Sequence, residues 1–449
     1  MKTFFGILLF VAQLPGIALA QQRDVTVTVY QSNLALVREI RSLQLQTGVT
    51  EVEFIDVPAR IDPTSVYFVS LTAPDDLRIV EQNFEYDLVG ADKLLQKHID
   101  RNVILETKDG TTYSGLLLSA SAKETILKDS QGQVKIVTQA NVENITFPEP
   151  VENLITKPTL VWKLSNSRNG KHETEIGYLT RGIRWHAEYV GIANEDDTSL
   201  DIGGWVSLDN KSGASFENAR LKLVAGDVNL ASSVRLQRTE ALMAADAAPA
   251  FQEKPFFEYH LYTLQDRTTV ANNQVKQISL FEPTDVITEK KYVYDQKRDK
   301  SKVGVFLNFE NSKKSGLGKP LPRGKVRLYK RDDDDALVFL GEDNIDHTPE
   351  NETVRVFSGF AFDIVAERTQ KERKALGKTS WDEGWEIELR NSKDTAVSVK
   401  IIEHFNNGWE IIAHSQAYEV RDANTITFDL DVPGKNRSAI SYTVRYHRN

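Results

Sequence analysis

The sequence predicts an all-β protein built from several β-sandwich modules of the immunoglobulin-like kind, with one small barrel and few short helices. Two observations carry this prediction. Short segments such as residues 25–30 alternate apolar and polar side chains with a period of two, which is typical of strands with one buried face. Glycine, proline, asparagine and aspartate separate these segments at short intervals, which favours sandwiches and barrels over parallel α/β folds.

Length and composition narrow the class of protein further. A chain of 449 residues is too long for one ordinary core, so we expect about three domains or more. The net charge of −9 and the absence of a basic stripe disfavour a nucleic-acid partner. The chain has no cysteine, so its domains must rely on apolar cores instead of disulfides.

The N-terminus has the pattern of an export signal. Lys2 precedes a short apolar segment at residues 4–12, and residues 18–20 (Ala-Leu-Ala) form a small-residue cleavage site. We expect cleavage after Ala20 and a periplasmic or extracellular location. No cysteine follows the cleavage site to carry a lipid, and no later segment approaches the ~20 apolar residues of a membrane helix.

Turn residues and changes of composition divide the rest of the chain. A proline-containing linker at 148–158 and a charged helix at 366–376 connect the larger units. The predicted units are a signal peptide (1–20), an N-terminal β-domain (21–88), a small barrel (89–147), a central β-sandwich (159–365) with a mobile loop (231–256), and a C-terminal immunoglobulin-like sandwich (380–449).

The small barrel at 89–147 is predicted from one short helix followed by five strands with tight turns. This order resembles the Sm-like (SH3-like) barrel, and Gly115 lies where that barrel bends its second strand. Sm proteins bind RNA, but the turns here lack the combination of a stacking aromatic residue and arginine. A structural or oligomerising module is therefore the preferred interpretation.

Three tryptophans lie in or beside strands of the predicted central sandwich: Trp162, Trp185 and Trp205. They could form a platform for sugar binding or fill the core of the sandwich. Because Trp162 and Trp205 lie within strand-like segments, and because tryptophan buries much apolar area, we favour the core.

Eight segments of the chain are specific in combination: 25–30, 34–37, 61–65, 257–262, 274–277, 316–324, 339–343 and 347–349. Together they resemble a bacterial family, the domain of unknown function 4139. The resemblance covers nearly the whole chain after residue 20. It implies the β fold and a cell-envelope location, but no reaction, substrate or catalytic residue. Many relatives carry a coiled coil where this chain has the Sm-like segment.

The segment 303–364 contains the densest group of polar residues that could meet at one place. It predicts a hairpin of strands 325–330 and 336–340, whose acidic tip at 332–335 is more typical of solvated charge than of a calcium site. The loops 316–324 and 341–349 should then meet at the other end. The candidate site residues in these loops are Lys319, Arg323, Glu342, Asp343, Asp346 and His347.

Two functions of different classes follow. The first is a non-enzymatic β scaffold of the envelope that binds a protein or glycan partner. The alternative is a periplasmic hydrolase with acid–base residues among Glu342, Asp343, Asp346 and His347. A cleft with raised carboxylate pKa values there would favour the hydrolase. The histidines lack zinc spacing and no phosphate loop occurs, so we expect neither a metal nor a cofactor.

Overall fold

A computed structural model describes residues 23–86, 90–149, 156–226, 228, 251–406 and 408–447. The predicted signal peptide and residues 231–250 of the predicted mobile loop lie outside the described residues. About two thirds of the described chain is strand, arranged in several separate sheets, with a single α-helix among the described residues. This confirms the predicted fold class.

The first segment of the chain contributes five strands, with a short 3-10 helix at Pro63–Ser65. These strands are β1 (Asp24–Tyr30), β2 (Leu34–Leu45), β3 (Gly48–Ile55), β4 (Tyr67–Ser70) and β5 (Leu77–Glu85). The small module that follows contains α1 (Ala91–Lys97), β6 (Asn102–Thr107), β7 (Thr112–Ala120), β8 (Glu124–Lys128), β9 (Val134–Thr138) and β10 (Val142–Thr146).

The longer remainder continues as strands. Up to residue 295 these are β11 (Thr159–Asn166), β12 (Gly170–Arg181), β13 (Ile183–Ala193), β14 (Ser199–Asn210), β15 (Phe216–Ala225), β16 (Phe251–Phe256), β17 (Tyr259–Leu264), β18 (Thr268–Val270), β19 (Gln274–Ile287) and β20 (Glu289–Asp295). The rest are β21 (Lys302–Glu310), β22 (Gly324–Arg331), β23 (Leu337–Ile345), β24 (Thr353–Ala375), β25 (Ser380–Asn391), β26 (Val397–His404), β27 (Trp409–His414), β28 (Tyr418–Asp422), β29 (Thr425–Val432) and β30 (Asn436–His447).

These strands form five sheets. Sheet 1 has the order β16-β17-β15-β1-β2-β12-β4, with β18 also paired to β15. Sheet 2 is β3-β11-β5, sheet 3 is β10-β6-β7-β8-β9, and sheet 4 is β19-β14-β13-β22-β23. Sheet 5 has nine strands in the order β27-β30-β25-β24-β21-β20-β26-β29-β28.

The predicted boundary between an N-terminal domain (21–88) and a central sandwich (159–365) is wrong. Strand β1 lies inside sheet 1, antiparallel to β2 and parallel to β15, with Val27 opposite Leu221. One apolar core joins residues of sheets 1, 2 and 4. The alternating valines of β1 bury only one face, so the N-terminal strands need the later sheets to complete a core.

The three tryptophans confirm the core interpretation in part. Trp162 of sheet 2 and Trp185 of sheet 4 are buried in the shared core. Trp205 is 42% exposed because its side chain lies on the solvent-facing side of β14. The prediction that it belongs to the core is therefore wrong.

A buried carboxylate links three adjacent strands of sheet 1. Glu39 on β2 is fully buried and accepts hydrogen bonds from Arg23 Nε (2.6 Å), Arg41 Nη2 (2.7 Å) and the Tyr178 hydroxyl (3.0 Å). The Arg41 guanidinium lies 3.6 Å from the ring centroid of Phe54 in sheet 2. Burial alone would raise the pKa of Glu39, but the bonds and charges of the two arginines outweigh it and lower this pKa.

The small module has its own apolar core, but it is not a closed barrel as predicted. Leu95 of α1 packs with Leu105, Leu117 and Leu127. Among the described residues β9 and β10 do not pair with each other, since the 3-10 turn Gln139–Asn141 separates them, so sheet 3 stays open.

Gly115 lies on β7 where the module needs a glycine. A Cβ atom at this position would meet the Lys128 carbonyl oxygen at 2.4 Å. A side chain is therefore excluded by the close approach of the neighbouring strand.

Sheet 5 corrects two further predictions. Residues 366–375 are the second half of β24, paired with β25, and not a helix. Arg368 points into sheet 5, where its Nη2 donates to Glu403 Oε2 at 2.9 Å, and its guanidinium lies 3.4 Å from the Trp385 centroid. Strands on both sides of residue 365 pair within this one sheet, so 365–380 is no domain boundary.

The predicted mobile loop also needs a correction at its end. Residues 251–256 are strand β16, paired with β17, and Phe251 is buried in the shared core.

No helix in the described part of the chain is long and apolar enough to cross a membrane.

We predict that replacing Glu39 with Gln destabilises the protein by about 3–5 kcal/mol at neutral pH, because two arginines then lose their buried counter-charge. The lowered pKa means that the contribution of Glu39 is present above its ordinary value of 4.5 and is lost as the pH falls below it. Urea unfolding of the wild type and the variant, at neutral pH and at a pH below 4.5, measures this difference in stability. Glu81→Gln, which removes an exposed partner of Lys163, is the control and should change little.

We also predict that the small module can be removed without unfolding the rest. Glu85 of β5 and Thr159 of β11 are direct antiparallel partners, so a short glycine- and serine-containing turn can replace residues 87–157. The shortened chain should keep a single cooperative thermal transition. Loss of that transition would show that the module shares a core with sheet 2.

Candidate functional site

The predicted central hairpin is present. Strands β22 and β23 pair antiparallel, with Lys330 opposite Val338, and residues 332–335 form the exposed tip. Asp334 Oδ1 accepts a hydrogen bond from the Ala336 amide at 2.9 Å, and Asp335 adopts a left-handed φ of 63°. No group of acidic or histidine side chains in the described ranges has the arrangement of a metal site.

The two loops meet at the other end of the hairpin, as hairpin geometry predicts. Leu321 and Thr348 exchange backbone hydrogen bonds of 2.9 Å in both directions. The Arg323 amide donates to His347 Nδ1 at 3.2 Å. Two of the six candidate residues are therefore in direct contact, and the imidazole of His347 helps to close the loop.

The side chains of the adjacent acids Glu342 and Asp343 lie on opposite faces of β23 and have different partners. Successive residues of a strand point to opposite faces. Glu342 is exposed, and its Oε1 accepts from Lys325 Nζ at 2.7 Å, which with Arg327 lowers the pKa of this carboxyl. Asp343 Oδ2 instead accepts from the Phe357 amide of β24 at 2.8 Å. The shift at Glu342 is opposite to the one a general acid needs.

Lys319 and Asp346 complete the set. Asn311 Nδ2 donates to the Lys319 carbonyl at 2.6 Å, and Lys319 Nζ lies 5.5 Å from the Phe281 ring centroid. Asp346 is exposed, and its backbone carbonyl accepts from the Thr348 hydroxyl at 2.9 Å. These contacts fix loop backbone and strand pairing, and they do not direct the six side chains toward one reacting atom.

Beside the acidic tip lies an exposed apolar surface that the sequence analysis did not single out. Leu337–Leu340 are four consecutive apolar residues at the outer edge of sheet 4, so both faces of this part of β23 meet solvent. Phe362 on neighbouring β24 is 96% exposed. We call this set the apolar hairpin surface; its members are Leu337, Val338, Phe339, Leu340, Phe360 and Phe362.

A signal for this surface exists in the sequence. Residues 337–340 are four consecutive apolar residues, without the alternation of apolar and polar positions seen in strands such as β1. A run of this kind is typical of a strand buried on both faces. Here the edge position in sheet 4 leaves it uncovered.

No protein-family model and no curated protein matches this chain. The fold and the surface features therefore define its class. It is an all-β protein of several packed sheets whose central hairpin presents apolar side chains next to acidic ones.

We predict different effects for the two neighbouring loop residues. His347→Ala removes the acceptor of the Arg323 amide and should cost about 1–3 kcal/mol of unfolding free energy. Asp346→Ala should change it little, since the exposed carboxylate makes no hydrogen bond or ion pair in the described chain. Urea unfolding of both variants measures the difference, and equal losses would contradict this role of His347.

Proposed function

We propose that this chain is a non-enzymatic β scaffold of the bacterial envelope that binds a protein partner through the apolar hairpin surface. The N-terminal pattern at residues 1–20 supports export to the periplasm or the cell exterior. The single observation that carries the binding function is the exposure of six large apolar side chains on β23 of the hairpin and on the neighbouring strand β24.

Exposed apolar area of this kind has an energetic cost. Each Å² that leaves water on binding contributes roughly 25 cal/mol, and a contiguous apolar patch on a folded chain marks an interaction site. The other strands of sheet 4 bury residues such as Val326 and Leu328 in the shared core. The contrast with Leu337–Leu340 on the next strand supports a role for this edge outside the fold itself.

The chemistry of the surroundings favours a protein over a glycan. Aspartates 332–335 adjoin the surface, so a matching partner presents apolar side chains beside lysine or arginine. Two of the tryptophans that suggested a sugar platform, Trp162 and Trp185, are buried.

The hydrolase alternative has less support. Its acids are distributed over two faces of β23, and the pKa of Glu342 is lowered. Membership in the family of domain of unknown function 4139 is a second part of our proposal. It rests on the quoted segments alone, since no family model matches the chain.

Site-specific photo-crosslinking in cells that produce the full chain tests this function. A photoreactive residue at position 339 should give a discrete crosslinked product with another protein. Phe362→Ser should reduce its yield severalfold, because it removes the most exposed member of the surface. The matched control is position 287, where Ile287 is exposed on β19 at the opposite edge of sheet 4.

The control should give no discrete product. Equal yields from positions 339 and 287 would contradict the proposal, as would a product of twice the mass of the chain. A yield that does not depend on Phe362 would place the contact elsewhere.

A further inference from the structure

The outer face of sheet 5 carries a cavity of about 280 Å³ that none of the features above uses. Its floor is apolar and includes Val293 of β20 and Ile402 of β26. Three cationic side chains line it: Arg355 of β24, Lys400 of β26 and Arg421 of the edge strand β28. Glu419 is the acidic residue of the lining.

A fourth cation stands beside this cavity. Arg298, in the turn after β20, lies 4.5 Å from the Phe357 ring centroid, and Arg355 lies 3.8 Å from that of Phe306. The two rings are themselves in contact, with centroids 5.2 Å apart. Stacking on an aromatic face holds a guanidinium plane in place and leaves its N–H groups available at the edge.

Three arginines at or beside the cavity have no acidic partner among the described residues. In the part of the chain that the structure describes, Arg298, Arg355 and Arg421 make no ion pair within 4 Å. By contrast, Lys400 Nζ is already paired with Asp429 at 3.0 Å.

The nearby acids have other partners. Asp295 Oδ1 contacts His404 Nε2 at 3.1 Å, and Asp343 accepts from the Phe357 amide. Glu419 of the lining offsets one positive charge, so the guanidiniums of Arg298, Arg355 and Arg421 still leave an excess of positive charge at the cavity.

The arginines also act on one another. The pKa of Arg355 is lowered, first by burial and then by the charges of Arg298 and Arg421, whose effect exceeds that of Asp295 and Asp343. Like charges held together in this way repel, and an anion placed between them removes the repulsion.

We propose that this cavity binds the phosphate group of a small phosphorylated ligand. Three guanidiniums that make no ion pair suit a doubly charged group with several acceptor oxygens better than a single carboxylate. The volume is close to the lower limit for ligand sites, so it suits a small ligand that carries such a group. This site is separate from the apolar hairpin surface and does not depend on the proposed function.

Binding of inorganic phosphate to the full chain, measured by calorimetry and thermal melting at constant ionic strength, tests the proposal. Phosphate should raise the melting temperature of the wild type, whereas acetate should not. Arg355→Gln and Arg421→Gln should each weaken phosphate binding at least about tenfold. The control is Arg437→Gln on β30, whose guanidinium is paired with Glu388 in the same sheet.

Arg421→Gln also separates folding from binding. Since Arg421 has no ion pair in the described structure, the ligand-free variant should melt at the wild-type temperature or above it while losing the response to phosphate. Vesicles of phosphatidylcholine with phosphatidic acid distinguish the source of the group. Binding to them that requires Arg355 and Arg421 would assign a lipid headgroup and support the site.

Several results would overturn this inference. They are the absence of binding to both phosphate and vesicles, equal effects of acetate and phosphate, and an equal loss in the Arg437→Gln control. Each would show that the cavity has only general positive charge.

Discussion

The buried carboxylate of Glu39 is the charge on which the N-terminal half of the structure depends. It joins Arg23, just before β1, to β2 and to Tyr178 of β12, and through Arg41 it reaches Phe54 of sheet 2. Removing such an ion from water costs several kcal/mol unless its partners are all in place. Any shift of register between these strands would leave a buried charge without a partner, so the network selects a single alignment.

The sequence predicted the strands well and their assembly poorly. Alternation in β1 and the turn residues of the central hairpin are local signals, and both elements are present. Residues 366–375 resemble a helix because charged side chains crowd them, yet one of these charges, Arg368, is buried against Glu403. The parallel pairing of β1 with β15 joins segments that are far apart in the chain, so the local sequence gives no sign of it. This pairing contradicts the predicted domain boundary.

Prediction of the candidate site had a similar limit. Hairpin geometry correctly indicates that the two loops meet, and Arg323 contacts His347 there. The period of two that identifies β23 also places Glu342 and Asp343 on opposite faces of the strand. The predicted group of six residues did not take this into account. The basic cavity could not have been found this way, since its side chains come from separate strands whose order in sheet 5 is not the order of the chain.

The place of β1 in the middle of sheet 1 has a consequence for the life of the chain before it is folded. During synthesis β1 and β2 emerge first and can form a hairpin at once, but the other edge of β1 has no partner until β15 appears. Nonlocal pairing of this kind is slow, and an open edge is a template for pairing between molecules. Incomplete chains that end before residue 216 are therefore the species most prone to aggregate.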